Sequence, residues 1–163
     1  MKKPPSSRGP RPGSIARVEG IDYADLDEHF GYALKRAQIA SFEAFRRATL
    51  SSPLVGDITP PRYTALVILA GNPGISQTAL GEVLGTARSG AMMLADWLEQ
   101  RGLAERRHKP EDARAWGLFL TAEGEALLRK LKRAVRTHDR RFAERLDPKE
   151  RRELLRLLEK LAG

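Results

Sequence analysis

The 163-residue chain predicts a mostly helical fold interrupted once by a short β-hairpin. Three observations predict it. Apolar residues recur at three- and four-residue spacing along most of the chain, two short segments between residues 103 and 120 alternate instead, and Gly, Pro, Ser and Thr stand where helices must stop and start.

Residues 1–21 read as a flexible basic arm. Lys2, Lys3, Arg8, Arg11 and Arg17 are opposed only by Glu19, and the Pro, Gly and Ser content leaves too little apolar surface to order the segment. Either it contacts a DNA backbone or it is a solubilising tail. Residues 22–58 hold a dimerisation helix and a loop. Asp22 or Asp25 caps a helix expected to reach Leu50, with Leu26, Phe30, Ala33, Leu34, Ala37, Phe42 and Phe45 on one stripe; Pro53 and Gly56 mark the loop.

Residues 59–120 carry the most informative run. Thr59 caps a helix begun by Pro60, filled by Tyr63, Leu66, Val67 and Leu69 and ended by Gly71, Asn72, Pro73 and Gly74. Ser76 caps Gln77–Val83, with Ala79 and Leu80 inward and Gly85 as the stop. The next helix starts at Thr86 or Ala87 and runs to Arg101, burying Ala91, Leu94, Ala95 and Leu98 before Gly102 ends it. Two such helices about a tight turn are a helix-turn-helix pattern. A strand Leu103–Arg107, a polar turn Lys109–Arg114 and a strand Ala115–Leu120, in which Trp116, Leu118 and Leu120 alternate, then form a wing.

In residues 121–163, Thr121 caps a helix from Ala122 to Arg145 lined by Leu127, Leu128, Leu131, Ala134, Val135 and Phe142. Asp147, Pro148 and Glu150 open a last helix carrying Leu154, Leu155, Leu157, Leu158 and Leu161. The apolar stripes at both ends would face water in a monomer, so both are expected to interleave with a second chain. The predicted fold is a winged helix-turn-helix with an intertwined N- and C-terminal helical dimerisation region.

Composition narrows the function. A net charge of +8 favours a polyanionic partner, nucleic acid before a membrane. The absence of Cys removes thiolate catalysis, disulfides and thiolate metal sites. Tyr63–Ala70, the longest weakly polar stretch, is far short of the roughly 20 residues a spanning helix needs. The N-terminus lacks the apolar region of a signal peptide, which makes the cytoplasm the expected location. His29, His108 and His138 have no metal-ligand spacing, and there is no nucleophile with a base nor a phosphate loop after a strand. Neither an enzyme nor a cofactor is expected.

The order of elements and their local residues resemble the MarR family of transcriptional regulators over residues 25–161. The resemblance rests on Ile75-Ser76-Gln77-x-x-Leu80, Arg88-Ser89, Leu98-Glu99-x-x-Gly102-Leu103, Asp112-x-Arg114 and Leu120-Thr121-x-x-Gly124, in that order. It implies a homodimer on a pseudo-palindromic operator in double-stranded DNA, usually a repressor released by a small aromatic acid or phenolic effector. The helix over residues 87–101 would enter the major groove and the wing the adjacent minor groove.

By that resemblance Arg114 is the wing arginine and Asp112 the acid that positions it; their blander reading is a salt bridge that shapes the turn. Arg106, Arg107, His108 and Lys109 are candidate phosphate contacts beside them. Ser76 and Gln77 either hold a phosphate at a helix N-terminus, cap the helix, or do both. Arg88 faces guanine or phosphate, with Ser89 a weaker candidate of the same kind. Gly90, Ala91, Met92 and Met93 depart from the family, which more often places Thr, Ser or Arg there. Base reading would then rest on Arg88, on methyl contacts from Met92 or Met93 to thymine, and on DNA shape. The implied effector pocket is lined by His29, Ala33 and Arg36 from the first helix and Arg62, Tyr63 and Leu66 from the second. An alternative reading is a weakly specific DNA-binding or protein-interaction module that retains the winged-helix fold.

Overall fold

The structure, a computed structural model, describes residues 18–49, 57–109 and 112–163. Most of the basic arm and of the Pro53–Gly56 loop lies outside them. The chain divides into two compact units, one formed by the segments up to Ala48 and from His138, the other by Thr49–Thr137. Among the described residues no helix is long and apolar enough to cross a membrane.

In the first unit the expected long helix starts later than its apolar stripe suggests. Ala24 has φ +48°, outside the right-handed helical region, and Asp22 Oδ1 accepts from Ala24 N at 2.9 Å where a 3-10 turn, Ala24–Glu28, starts with Tyr23 as its N-cap. His29 then adopts extended ψ 117°, and its carbonyl accepts from Tyr32 and Ala33 N–H as α1, Phe30–Thr49, begins. Leu26 is therefore on the turn, and 42% exposed. The end of α5, Ala122–Phe142, and α6, Pro148–Ala162, complete the unit. The expected capping box is present at α6: Asp147 accepts from Lys149 and Glu150 N–H, and Glu150 accepts from Asp147 N–H. Phe45 and His138 are buried together, rings edge to face at 6.0 Å, and Phe142 stacks on His138 at 5.8 Å. Burial pushes the His138 imidazole below its ordinary 6.5, with Asp139 opposing.

The second unit is the winged lobe. Helix α2, Pro60–Gly71, starts after extended Thr59 with proline in its first turn, and Asn72 Nδ2 closes its end by donating to Ile68 O. Helix α3, Gln77–Val83, is capped by the Ser76 hydroxyl, which accepts from Ala79 N–H. Gly85 supplies the φ of +60° that turns the chain into α4, Arg88–Gln100. Leu66, Leu69, Leu80, Leu98, Leu118 and Leu131 are sealed among these elements, each worth roughly 1.5–3 kcal/mol of burial.

The wing is β1, Ala104–Lys109, paired antiparallel with β2, Asp112–Leu120, so β2 reaches back through most of the expected turn. Ile75 bridges to Leu118, which ties the start of α3 to the wing. This approach requires glycine at 117, because a Cβ there would lie 2.6 Å from Gly74 O. At the other end Thr121 Oγ1 donates to Gly102 O and accepts from Gly124 N–H, joining wing, α4 and α5. A Cβ at Gly124 would collide with Leu103 O, a physical reason for the Leu-Thr-x-x-Gly pattern.

Candidate nucleic-acid interface

Helix α4 buries Ala91, Ala95 and Leu98 and so turns its other side out. Arg88 and Ser89 are exposed in its first turn, with Met92 48% and Met93 70% exposed. Met93 also edges a cleft of about 760 Å³ between α2 and α4, together with Arg62 and Trp97. Gly90 is explained by packing. A side chain there would run into the Thr86 hydroxyl, so the residue lets the turn before α4 lie against the helix.

The same helix carries two acids near its C-terminal end, and exposed carboxylates would repel a phosphate backbone. Arg106 pairs with both and offsets one of their two charges. Its guanidinium bonds Glu99 in a very short contact, Asp96 at 2.6 Å and Gln77 Oε1 at 3.2 Å, while its N–H donates to Glu99 Oε1 at 2.9 Å. One side chain thus joins β1, α4 and α3. The basic cluster 106–109 expected from sequence is therefore not one surface. Strand alternation sends Arg106 toward the helices and Arg107 to the opposite face, where it lies 4.0 Å over Phe119 and pairs with Glu105 at 3.4 Å.

Farther out, the His108 ring sits 4.1 Å from that of Trp116, just before a register shift at Lys109. Arg114 is exposed on β2; Asp112 starts that strand, and its side chain lies outside the described residues. Gln77, a phosphate candidate, uses its carbonyl oxygen on Arg106, and Ser76 uses its hydroxyl as the helix cap. The interface candidates thus all fall in the winged lobe, with Arg106 and Gln77 as its internal tie. Alternation alone left two features unseen: the Asp96, Glu99 and Arg106 cluster, and Trp116, which is 57% exposed despite its grouping with Leu118 and Leu120. Two acids three residues apart on one helix are the signal that calls for a nearby cation.

The effector candidates divide between the units. His29, Ala33 and Arg36 lie in the first, where His29 Nε2 meets Asp25 Oδ2 at 3.2 Å and Arg36 lies 5.8 Å from the Tyr32 ring. In the second, Leu66 is sealed in the core and Tyr63 is half-buried. Arg62 lies 3.8 Å over Trp97 and donates to Asp57 O at 2.5 Å. Leu66 is thus a packing residue of the lobe.

Residues 56–115, which span α2 to the wing, match the MarR family model. A Thauera aromatica protein assigned as a transcriptional regulator for the hcr operon is 36% identical over 139 residues, 85% of this chain and 82% of its own. The chain belongs to the MarR family. It is a DNA-binding transcriptional regulator. Its fold matches the transcriptional repressor CouR bound to a 23-mer DNA duplex, with TM-score 0.79 and 38% identity over 88% of this chain and 99% of that one. CouR bound to p-coumaroyl-CoA matches with TM-score 0.77 and 36% identity over 87% and 97%. In this MarR-family regulator, α3, α4 and the wing make up the winged helix-turn-helix.

Proposed function

We propose that this regulator is a cytoplasmic homodimeric repressor that binds a pseudo-palindromic operator. Each subunit places α4 in a major groove and its wing in the adjacent minor groove. The observation that carries this reading is the outward face of α4, where Arg88, Ser89, Met92 and Met93 stand clear while Arg106 holds the two acids behind them in ion pairs. Arg88 takes a guanine edge or a phosphate, the methionines contact thymine methyls, and Arg114 with Asp112 serves the minor groove. Arg107, His108, Lys109, Ser76 and Ser89 supply backbone contacts, and Gln77 is positioned by Arg106. The exposed leucines of α6 support the dimer.

A small aromatic acid or phenolic compound, free or as a coenzyme A thioester, releases the protein from DNA. The CouR complex with p-coumaroyl-CoA supports that ligand class. Arg36, with His29 one helical stretch earlier, is the cation proposed to meet its carboxylate or phosphates.

Fluorescence anisotropy against DNA from upstream of the gene, with a scrambled duplex as control at about 150 mM salt, tests the reading. A preference of roughly 10³ or more is expected. Equal binding to both duplexes would replace it with the weakly specific module. Adding p-coumaroyl-CoA or aromatic acids should release the DNA, and Arg36→Ala should keep operator affinity while blunting release.

A further inference from the structure

The helix-facing side of the wing continues past the last helix. Pairings Ala104↔Leu120, Arg106↔Leu118 and His108↔Trp116 put these residues on one face, and exposure rises along it from 1% at Leu118 to 57% at Trp116. Arg106 marks where that face looks, because its guanidinium reaches Gln77 on α3 and Asp96 and Glu99 on α4. Trp116 lies two residues farther toward the tip and stays more than half exposed. An indole normally gains by burying 150–250 Å² of surface, so an exposed one on a two-stranded wing needs an occupant.

The ring is also held in place. His108 lies 4.1 Å away at an interplanar angle of 39°, just before the register shift between His108 and Lys109. Its surroundings are cationic: Arg114 is exposed two residues earlier on the same strand, and Lys109 follows His108. An apolar plane flanked by cations fits a sugar-phosphate backbone, whose deoxyribose offers apolar contact and whose phosphates accept hydrogen bonds.

We infer that Trp116, braced by His108, is a DNA-contacting residue of the wing, its indole face against deoxyribose and its Nε1–H donating to a phosphate oxygen. The inference rests on the reading of α4 and the wing as the DNA interface, and it adds a contact outside the Asp112-x-Arg114 pattern.

The chain has two tryptophans, so Trp97→Phe leaves Trp116 as the only indole reporter. Titrating that variant with the duplex selected by anisotropy should quench and shift Trp116 emission in step with binding. Trp116→Ala should weaken operator binding about tenfold without changing the salt slope, since no cation is removed. Trp116→Phe should recover part of the loss, and His108→Ala should lose less than Trp116→Ala. DNA binding with unchanged Trp116 emission, or full affinity in a folded Trp116→Ala protein, would overturn the inference and leave the regulator reading intact. Failure of the unsubstituted protein to bind any duplex would overturn both.

Discussion

In the winged lobe Leu66, Leu69, Leu80, Leu98, Leu118 and Leu131 are sealed from water, whereas Leu154, Leu155, Leu157, Leu158 and Leu161 of α6 are all exposed. Both regions have helical periodicity and strong caps. What separates them is whether the apolar face is covered among the described residues. The lobe folds α2, α3, α4, the wing and most of α5 around one core. Helix α6 presents an amphipathic face with nothing buried, which suits a surface completed by a second subunit.

The largest expected effect comes from breaking the incomplete region. Leu155→Asp with Leu158→Asp should convert the dimer to monomer and cut operator affinity by about 100-fold or more, because two half-sites are no longer bound together. Sedimentation equilibrium and anisotropy on one sample check this, with an unchanged dimer as the contrary result. The lobe should keep its fold, since α6 adds nothing to its core.

Next in size is the tie inside the lobe. Arg106→Met leaves Asp96 and Glu99 without their cation and, with α4 placed against DNA as proposed, operator affinity should fall about tenfold or more. The three groups are partly exposed, so the stability loss in urea unfolding should be only about 1–2 kcal/mol. If Arg106 instead touched phosphate directly, Arg106→Lys would retain most of the affinity; the network predicts that it does not, because lysine cannot span three acceptors in one plane.

A smaller and sharper test is Gly90→Ala. Helix propensity alone would stabilise α4 by about 1 kcal/mol, but the collision with Thr86 reverses the sign. Urea unfolding should show Gly90→Ala destabilised by about 1 kcal/mol or more, with Thr86→Ala restoring it in the double variant. A stabilised single variant would show that the turn before α4 gives way easily.

The smallest effect belongs to His138 in the first unit. Its folded pKa lies below the ordinary 6.5, so the unfolded chain binds the proton more readily. The associated stability is complete above 6.5 and declines as pH falls from there toward the depressed folded value. Melting temperature should therefore drop on acidification through that window, and His138→Phe should flatten the dependence. A rise in melting temperature over the same window would contradict the buried neutral imidazole.

Much of this architecture was legible because short-range rules decide it. The caps at Ser76 and at Asp147 with Glu150, the glycine stops at 85 and 102, and the helical spacing of α2 to α6 are local, as was the hairpin that marks the lobe as winged. The late start of α1 was not legible: the apolar stripe passes through Leu26, but Ala24 and His29 leave the right-handed helix, and periodicity does not register backbone conformation.

By itself, then, the sequence determined most of which segments are helix or strand, which face of each is apolar, and that the lobe is a winged helix-turn-helix. The tertiary structure alone decided how that surface is divided. Adjacent arginines 106 and 107 went to opposite faces, one to pair with acids and one to an aromatic ring, while Trp116 continues the face of Leu118 and Leu120 but is exposed. The reason is range: periodicity acts between residues a few positions apart, whereas ion pairing and exposure depend on which distant elements come to lie opposite one another.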